Sequence, residues 1–380
     1  MADAVAAADP LPLYRSGFMR GPSPHDRWVD GTGVPVYEGY YVEDLRTLEL
    51  GPWDERGCKA AFLRLTGQEG ITEARVTEIP PGGALPPIKF ALDETVYVLE
   101  GRGLATVRGV SSERTFEWQK HSLFMVPRNC TWQLANAQGS SPARLLHYNY
   151  LPLAMSIVPD PGAYFDTCST SDFLEQQGDG VYSEAKLIQP PESEGSRRGR
   201  AFWVGNFFPD MKAWDKLVNQ TGRGAGARAV FIQYTGSPMS NHMTVVPSGA
   251  YKKAHRHGPG VVIVIPEGEG YSIMWPTDGE RVVIPWHEGS VFVPPNRWFH
   301  QRFSVGRTPA RYLAFHGPPS LSAYNERVAN QGVDQIEYPD EDPWIRRKFE
   351  EELAERGLTS EMPPQAYSDR DFEWSYDEGE

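Results

Sequence analysis

The sequence is poor in three features, and each shortage excludes a class of protein. Its three cysteines (Cys58, Cys130 and Cys168) are odd in number and form no Cys-x-x-Cys pair, so a disulfide framework is excluded and a reducing cytoplasm is expected. No apolar run is long enough to cross a bilayer, and the first residues lack the basic and apolar parts of a signal peptide. The net charge of −13 argues against nucleic acid as a partner.

Proline and glycine are abundant instead, with 33 and 37 residues. Short runs of valine, isoleucine, phenylalanine and tyrosine lie between them, a pattern that predicts many short strands joined by turns. A chain of 380 residues is long for one core and comfortable for two domains. We therefore expect an all-β protein with a few short helices.

The two halves of the chain repeat each other at an offset of 166 to 168 residues. Residues 39–45 (GYYVEDL) match residues 205–211 (GNFFPDM), and residues 96–101 (VYVLEG) match residues 263–268 (IVIPEG). Each copy alternates short strands with Gly/Pro turns, as a small β-barrel or jelly roll does. The constant offset indicates a tandem duplication of such a barrel.

Three histidines of the second copy form the pattern of a metal site. His255 and His257 are two residues apart in an extended segment, so their side chains should point to the same face. His300 lies on a later strand that can reach this face if the sheet closes on itself. Three neutral imidazoles in a barrel would leave positions open on a bound ion, as metal catalysis requires.

These motifs resemble those of the bicupins, which carry two double-stranded β-helix (jelly-roll) domains in one chain. The resemblance covers about residues 37–320, and its specific part is Gly249, His255-x-His257, Gly289, Pro294 and His300. The family's Pro-x-Gly turn is Pro-Pro-Asn here. The division it implies is an N-terminal arm (1–36), a first cupin domain (37–152), a linker (153–201), a second cupin domain (202–320), and a C-terminal helix with an acidic tail (321–380).

The first copy has no histidine at the matching positions. Ile88, Phe90 and Trp132 stand there, and only Glu94 remains where the family has a carboxylate ligand. We therefore predict a degenerate first domain without a metal. In the second copy the carboxylate position is valine, so the predicted ligand set is His255, His257 and His300.

Two further residues are candidates for a catalytic role. Arg302 should share a strand face with His300 and could clamp a substrate carboxylate, although a structural arginine at the barrel rim is the alternative. Tyr251 could be a general acid, although an exposed strand tyrosine is commoner. His242 and His316 could support the site or simply be structural.

The three-histidine set resembles that of thiol dioxygenases, diketone-cleaving enzymes and gentisate-type ring-cleaving dioxygenases. We therefore expect one divalent metal ion, Fe(II) first, in an oxygenase or dioxygenase that acts with O2 on a small chelating substrate bearing a carboxylate or enol. The alternatives are a non-redox lyase, isomerase or hydrolase with Zn(II), Mn(II) or Ni(II), and a non-catalytic small-molecule-binding cupin. The resemblance also implies a homodimer, because cupins of this kind are similar to proteins that dimerise through sheet edges and exchanged N-terminal arms, and residues 1–36 could be such an arm. The scattered cysteines and the lack of a long apolar run predict a cytoplasmic protein without membrane partners.

Overall fold

The chain folds into two β-barrels in tandem, which confirms the expected all-β class. A computed structural model describes residues 22–166, 169–189, 201–318 and 331–376. Most of the predicted N-terminal arm, Cys168, the polar loop at 190–200 and the last four residues lie outside the described residues. Within the described part of the chain, no helix is long and apolar enough to span a membrane.

The first half contributes twelve strands within the described residues. They are β1 (Val36–Gly39), β2 (Tyr41–Val42), β3 (Gly51–Trp53), β4 (Cys58–Leu65), β5 (Glu73–Ile79), β6 (Ile88–Lys89), β7 (Glu94–Glu100), β8 (Arg102–Arg108), β9 (Glu113–Gln119), β10 (Leu123–Val126), β11 (Thr131–Asn136) and β12 (Ala143–Asn149). An eight-stranded sheet in the order β1-β4-β5-β12-β7-β10, with β3 beside β4 and one strand from the second half, faces the sheet β6-β11-β8-β9.

The linker and the second half contribute the remaining strands of the described chain. They are β13 (Lys186–Ile188), β14 (Phe202–Val204), β15 (Phe207–Phe208), β16 (Val218–Asn219), β17 (Arg228–Gln233), β18 (Ser240–Val246), β19 (Ala254–His255), β20 (Val262–Glu267), β21 (Gly270–Trp275), β22 (Val282–Trp286), β23 (Val291–Phe292), β24 (Phe299–Ser304), β25 (Ala310–Phe315) and β26 (Gln335–Ile336). The sheet β13-β14-β17-β18-β25-β20-β23 faces the sheet β22-β21-β24-β19-β26.

In the part of the chain that the structure describes, helices are few and short. The α-helices are α1 (Pro24–Thr32), α2 (Leu151–Met155), α3 (Phe173–Gln176), α4 (Gln331–Asp334) and α5 (Pro343–Glu355). Single 3-10 turns lie at Asp54–Arg56, Thr66–Gln68, Pro161–Ala163, Thr221–Arg223, Tyr338–Asp340 and Pro364–Tyr367.

Each barrel includes one strand from the other half of the chain. β2 of the first half pairs with β23 of the second, and β15 of the second half pairs with β10 of the first. The two exchanged strands lie in the matched segments 39–45 and 205–211. The matching segments of the two halves therefore have the same structural role, which is to pair with a strand of the other barrel. The two large sheets also pack face to face, through an apolar cluster that includes Val76, Leu146, Val264 and Leu313.

The predicted C-terminal helix is confirmed as α5. Asp342 caps it by accepting a hydrogen bond from the backbone N–H of Trp344 (2.9 Å), and Pro343 occupies the first turn. The apolar stripe of Ile345, Phe349 and Leu353 is buried, as predicted. Phe349 packs against Phe303 and Tyr251 on the outer face of the sheet that contains β24. The helix therefore covers the back of the histidine-bearing sheet.

The prediction of an irregular arm over residues 1–36 is wrong for the part that forms α1. Ser23 accepts a hydrogen bond from the backbone N–H of Asp26 (3.0 Å), and the Asp26 carboxylate accepts one in return from the backbone N–H of Ser23 (3.3 Å). This reciprocal cap starts a helix that the high content of glycine, proline and aspartate concealed. His25 of this helix contacts Glu73 in the first barrel (2.7 Å).

Candidate metal centre

The structure brings the three predicted histidines together. His255 lies directly opposite His300 in the antiparallel pair of β19 and β24, and His257 follows in the next loop. One possible ligand atom from each residue lies within 4.8 Å of the others. The ring centroids of His255 and His257 are 4.4 and 4.7 Å from that of His300. All three rings are buried, so this arrangement is not a surface coincidence.

The hydrogen bonds of these rings leave the inner nitrogens available. Each Nδ1 lies against a backbone carbonyl, which fixes the proton on Nδ1 and leaves the Nε2 lone pair for a ligand. The Nε2 of His300 is buried and has no hydrogen-bond partner among the described residues. Three neutral nitrogen donors of this kind fit a divalent transition metal. The Nδ1 contacts are His255 with the Lys253 carbonyl (3.4 Å), His257 with that of Gly258 (2.8 Å) and His300 with that of Trp298 (3.2 Å).

Burial keeps the three rings neutral. It lowers the pKa of His257 to about 3 and the pKa of His255 and His300 well below the ordinary value. The positive charges of Arg302 and Arg223 lower the pKa of each ring further. The imidazoles are therefore in the form that a metal ion requires at neutral pH.

Arg302 lies inside the second barrel, on the strand face predicted for it. It is two residues from His300 on β24, so the two side chains share a face. Its guanidinium lies 5.8 Å from the ring centroid of Phe292 and 5.5 Å from that of Tyr312, both on the facing sheet. The cation is thus buried between the two sheets, on the same side of β24 as the histidine cluster.

Tyr251 is not where strict strand alternation places it. It pairs with Phe303, whereas His255 pairs with His300, so the segment from 251 to 255 has one residue more than its partner. This bulge reverses the alternation, and Tyr251 turns to the outer face of the sheet. There its ring stacks on Phe303 and its hydroxyl donates a hydrogen bond to Glu341. The prediction of Tyr251 as a general acid in the histidine site is therefore wrong.

The same bulge turns Lys252 inward, a residue that the sequence pattern gave no reason to select. Its backbone N–H donates to the Arg302 carbonyl, which places it beside Arg302 in the pairing. The side chain is buried, and Nζ donates a hydrogen bond to Oε1 of Gln220 (2.6 Å). Its charge also lowers the pKa of His242, although burial is the larger cause. A second buried cation thus lies inside this barrel.

His242 and His316 form a hydrogen-bonded pair in the second barrel. Nδ1 of His242 lies 2.6 Å from Nε2 of His316, and the ring centroids are 4.8 Å apart. Burial lowers the pKa of both rings, that of His316 to about 4. The pair is separate from the three-histidine cluster, but the charge of His316 contributes to the low pKa of His257.

The first barrel has the same strand pairing as the second, but different side chains occupy the matching positions. Ile88 lies opposite Trp132 just as His255 lies opposite His300, which confirms the match of these positions. Glu94 is buried and engaged: both its oxygens accept hydrogen bonds from Arg75 (2.7 and 2.8 Å), and one lies 2.7 Å from Nδ1 of His147. Burial alone would raise the pKa of Glu94, but the charges of Arg75 and His147 outweigh it and hold the pKa at about 2.

The two barrels in tandem agree with the fold that the resemblance to bicupins implied. No family model matches the sequence, and no curated protein matches it either. Solved structures resemble it in fold at low identity. One is oxalate decarboxylase from Bacillus subtilis, with 12% identity over 74% of this chain and 77% of that chain and a TM-score of 0.46. Another is vicilin from Corylus avellana (hazelnut), with 13% identity over 73% of this chain and 85% of that chain and a TM-score of 0.45.

Proposed function

We propose that this chain is a metal-dependent enzyme whose second barrel holds one divalent ion on His255, His257 and His300. The observation that carries the proposal is the convergence of three buried imidazoles, each with its Nδ1 on a backbone carbonyl. A bound ion would supply Lewis acidity and, as Fe(II), electrons for dioxygen. The protein's own contribution is to keep the rings neutral and fixed in direction.

The charges around the histidines favour a small anionic substrate. Arg302 and Lys252 are both buried inside the second barrel, and the charge of Arg223 acts on all three rings. In the first barrel the buried guanidinium of Arg75 contacts the carboxylate of Glu94. We infer that Arg302 binds a carboxylate of the substrate through two parallel N–H donors, as arginine does at planar anions.

The ligand set favours a chelating substrate and, in our proposal, oxygen chemistry with Fe(II). Three neutral ligands leave the double charge of the ion uncompensated, so an anionic substrate that occupies two of the open positions would be attracted strongly. Open positions are also what O2 needs beside a substrate. The proposed reaction class is therefore the oxidation or oxidative cleavage of a small carboxylate- or enol-bearing compound, including aromatic ones.

A non-redox reaction is the second candidate, and the proton-exchanging groups of the barrel favour it. The His242–His316 pair and Lys252 are groups that accept or donate protons, as a lyase, isomerase or hydrolase with Mn(II), Zn(II) or Ni(II) would need. A non-catalytic cupin that binds a metabolite is the third.

One preparation separates these candidates. The protein is purified without oxygen, its metal content is measured, and it is reloaded separately with Fe(II), Mn(II), Zn(II) and Ni(II). O2 consumption is then followed with a panel of small chelating carboxylates and enols. Consumption that requires both Fe(II) and a substrate supports the oxygenase, and turnover without O2 or with Zn(II) removes it. If the protein retains metal only at trace levels, and its affinity for these compounds is unchanged in His255→Ala, the result supports the non-catalytic cupin.

The cytoplasmic location and the homodimer stay proposals. The dimer was expected from an exchanged N-terminal arm, and residues 1–21 of that arm lie outside the described residues. Light scattering on the full chain and on a chain that begins at residue 22 would test it, since loss of the arm should then yield a monomer.

A further inference from the structure

The carboxylate of Asp334 ties together the two segments that carry the histidines. Its Oδ1 accepts hydrogen bonds from Nε of Arg256 (2.9 Å) and from Nη2 of Arg297 (2.5 Å). Arg256 lies between His255 and His257 in the chain. Arg297 comes shortly before His300, and its backbone N–H donates to the His257 carbonyl (2.8 Å). One carboxylate group therefore spans the gap between both ligand segments.

The backbone around Asp334 reinforces this tie. Its carbonyl accepts a hydrogen bond from the N–H of Arg256 (3.0 Å). The next residues form β26, an added edge strand in which Gln335 lies opposite His255. Gln335 also accepts a hydrogen bond from Arg223 (2.8 Å). The segment at 334–336 thus holds the first ligand strand from the side opposite β24.

The backbone of Arg297 indicates that its side chain has a specific task. Arg297 has a φ of 62°, in the left-handed region that glycine and asparagine adopt most readily. At the matching place in the first barrel stands Asn129, with a φ of 59°. Arginine is a poor choice for this turn on backbone grounds alone, and its guanidinium is the group that reaches Asp334.

We propose that Asp334 is a positioning residue of the metal centre, which sets the spacing of the 255–257 and 297–300 segments through Arg256 and Arg297. The inference rests on the proposed function, since it requires that the three histidines bind an ion. The effect of Asp334 on the imidazoles passes through Arg256 and Arg297, the two arginines beside the ligands.

Cobalt(II) alone is a suitable probe, because its visible absorption reports both affinity and ligand geometry. The wild-type chain, Asp334→Asn and Arg297→Gly are titrated with Co(II) without oxygen, and thermal unfolding of the metal-free proteins is measured in parallel. The control is Glu267→Gln, which removes a carboxylate–arginine contact of the same barrel (to Arg311, 3.2 Å) away from the histidines.

We expect Asp334→Asn to bind Co(II) at least about tenfold more weakly, with an altered absorption spectrum, as for other groups that orient metal ligands. Arg297→Gly should weaken binding similarly while its metal-free form unfolds at no lower temperature than wild type, because glycine relieves the left-handed backbone. Glu267→Gln should bind like wild type. If Asp334→Asn does not fold, the Co(II) affinity of Arg297→Gly alone tests the proposal.

Two outcomes overturn the inference while leaving the proposed function intact. One is a wild type that binds Co(II) while both variants bind within about twofold of it, well below the effect expected for such groups. The other is an equal loss in Glu267→Gln, which would mean a general loss of stability. A wild-type chain that binds no Co(II) would overturn the proposed function, and with it the role of Asp334.

Discussion

His255 faces His300 across the antiparallel pair of β19 and β24, at the positions that Ile88 and Trp132 hold in the first barrel. The backbone frame is the same, so the difference between the barrels lies in their side chains. One frame holds nitrogen donors and the other holds apolar groups, with Glu94 bound to Arg75 nearby. After the duplication, the second barrel thus carries side chains suited to bind a metal, and the first carries side chains suited to a structural role.

The first prediction concerns the metal itself. Replacement of His255, His257 or His300 by alanine should reduce bound metal from about one ion per chain to trace, because two imidazoles alone seldom hold a divalent ion in a protein. Elemental analysis of protein purified without oxygen measures this. His287→Ala is the matched control, a histidine of the same barrel outside the cluster. Equal metal content in the cluster variants and the control would contradict the proposed ligand set.

The second prediction is a pH dependence that originates in Glu341. Burial raises its pKa to about 7, despite hydrogen bonds from Tyr251 and Gln301 that favour the charged form. Between about 4.5 and 7 the folded chain therefore holds a proton here that the unfolded chain releases. The stabilisation of the folded state by this proton is fully present below about pH 4.5 and is lost as the pH rises through about 7.

Urea unfolding at pH 5 and pH 8 tests this sign with Glu341→Gln for comparison. Between pH 5 and pH 8 the free energy of unfolding of the wild type should fall by roughly 1 to 3 kcal/mol more than that of the variant, since one pKa unit corresponds to about 1.4 kcal/mol. The glutamine amide does not titrate, so the difference isolates one carboxyl. A wild type that gains stability relative to the variant at pH 8 would show that the sign is wrong.

The third prediction separates the supporting barrel from the metal site. Glu94→Gln should destabilise the protein by about 3 kcal/mol, because it leaves the buried guanidinium of Arg75 short of a charged partner. Metal content should not change. The control is Glu113→Gln, whose exposed pair with Arg108 should be worth less than about 1 kcal/mol. Denaturant unfolding and metal analysis on the same samples measure both effects, and loss of metal in Glu94→Gln would contradict the division between the barrels.

The sequence was sufficient to predict the duplication, the all-β class and the meeting of the histidines, because each depends on a local pattern that repeats or on strand alternation. Alternation failed for Tyr251 and Lys252, since a single extra residue in the strand reverses every side chain after it. Asp334 was missed because its contact with Arg256 joins residues 78 positions apart through an added edge strand. No composition or period in the sequence signals a contact of that kind.

The fourth prediction tests whether Arg302 serves the substrate or only the fold. Arg302→Gln keeps a hydrogen-bonding group inside the barrel but removes the charge. On Co(II)-loaded protein, the affinity for malonate, a small chelating dicarboxylate, should fall about tenfold or more, since a hydrogen bond to a charged group contributes roughly 1.5 to 3 kcal/mol. Co(II) affinity itself should not fall, because removal of a nearby positive charge does not disfavour a cation.

The matched control for that experiment is Arg311→Gln, since the guanidinium of Arg311 is engaged with Glu267 and the Trp214 carbonyl. Malonate affinity should be unchanged in this variant. If Arg302→Gln binds malonate as well as the control does but unfolds more easily, Arg302 is a structural cation between Phe292 and Tyr312. The substrate carboxylate would then need another partner, and the inward-facing ammonium of Lys252 is the next cation to test, because the bulge at 251–255 places it in the same barrel.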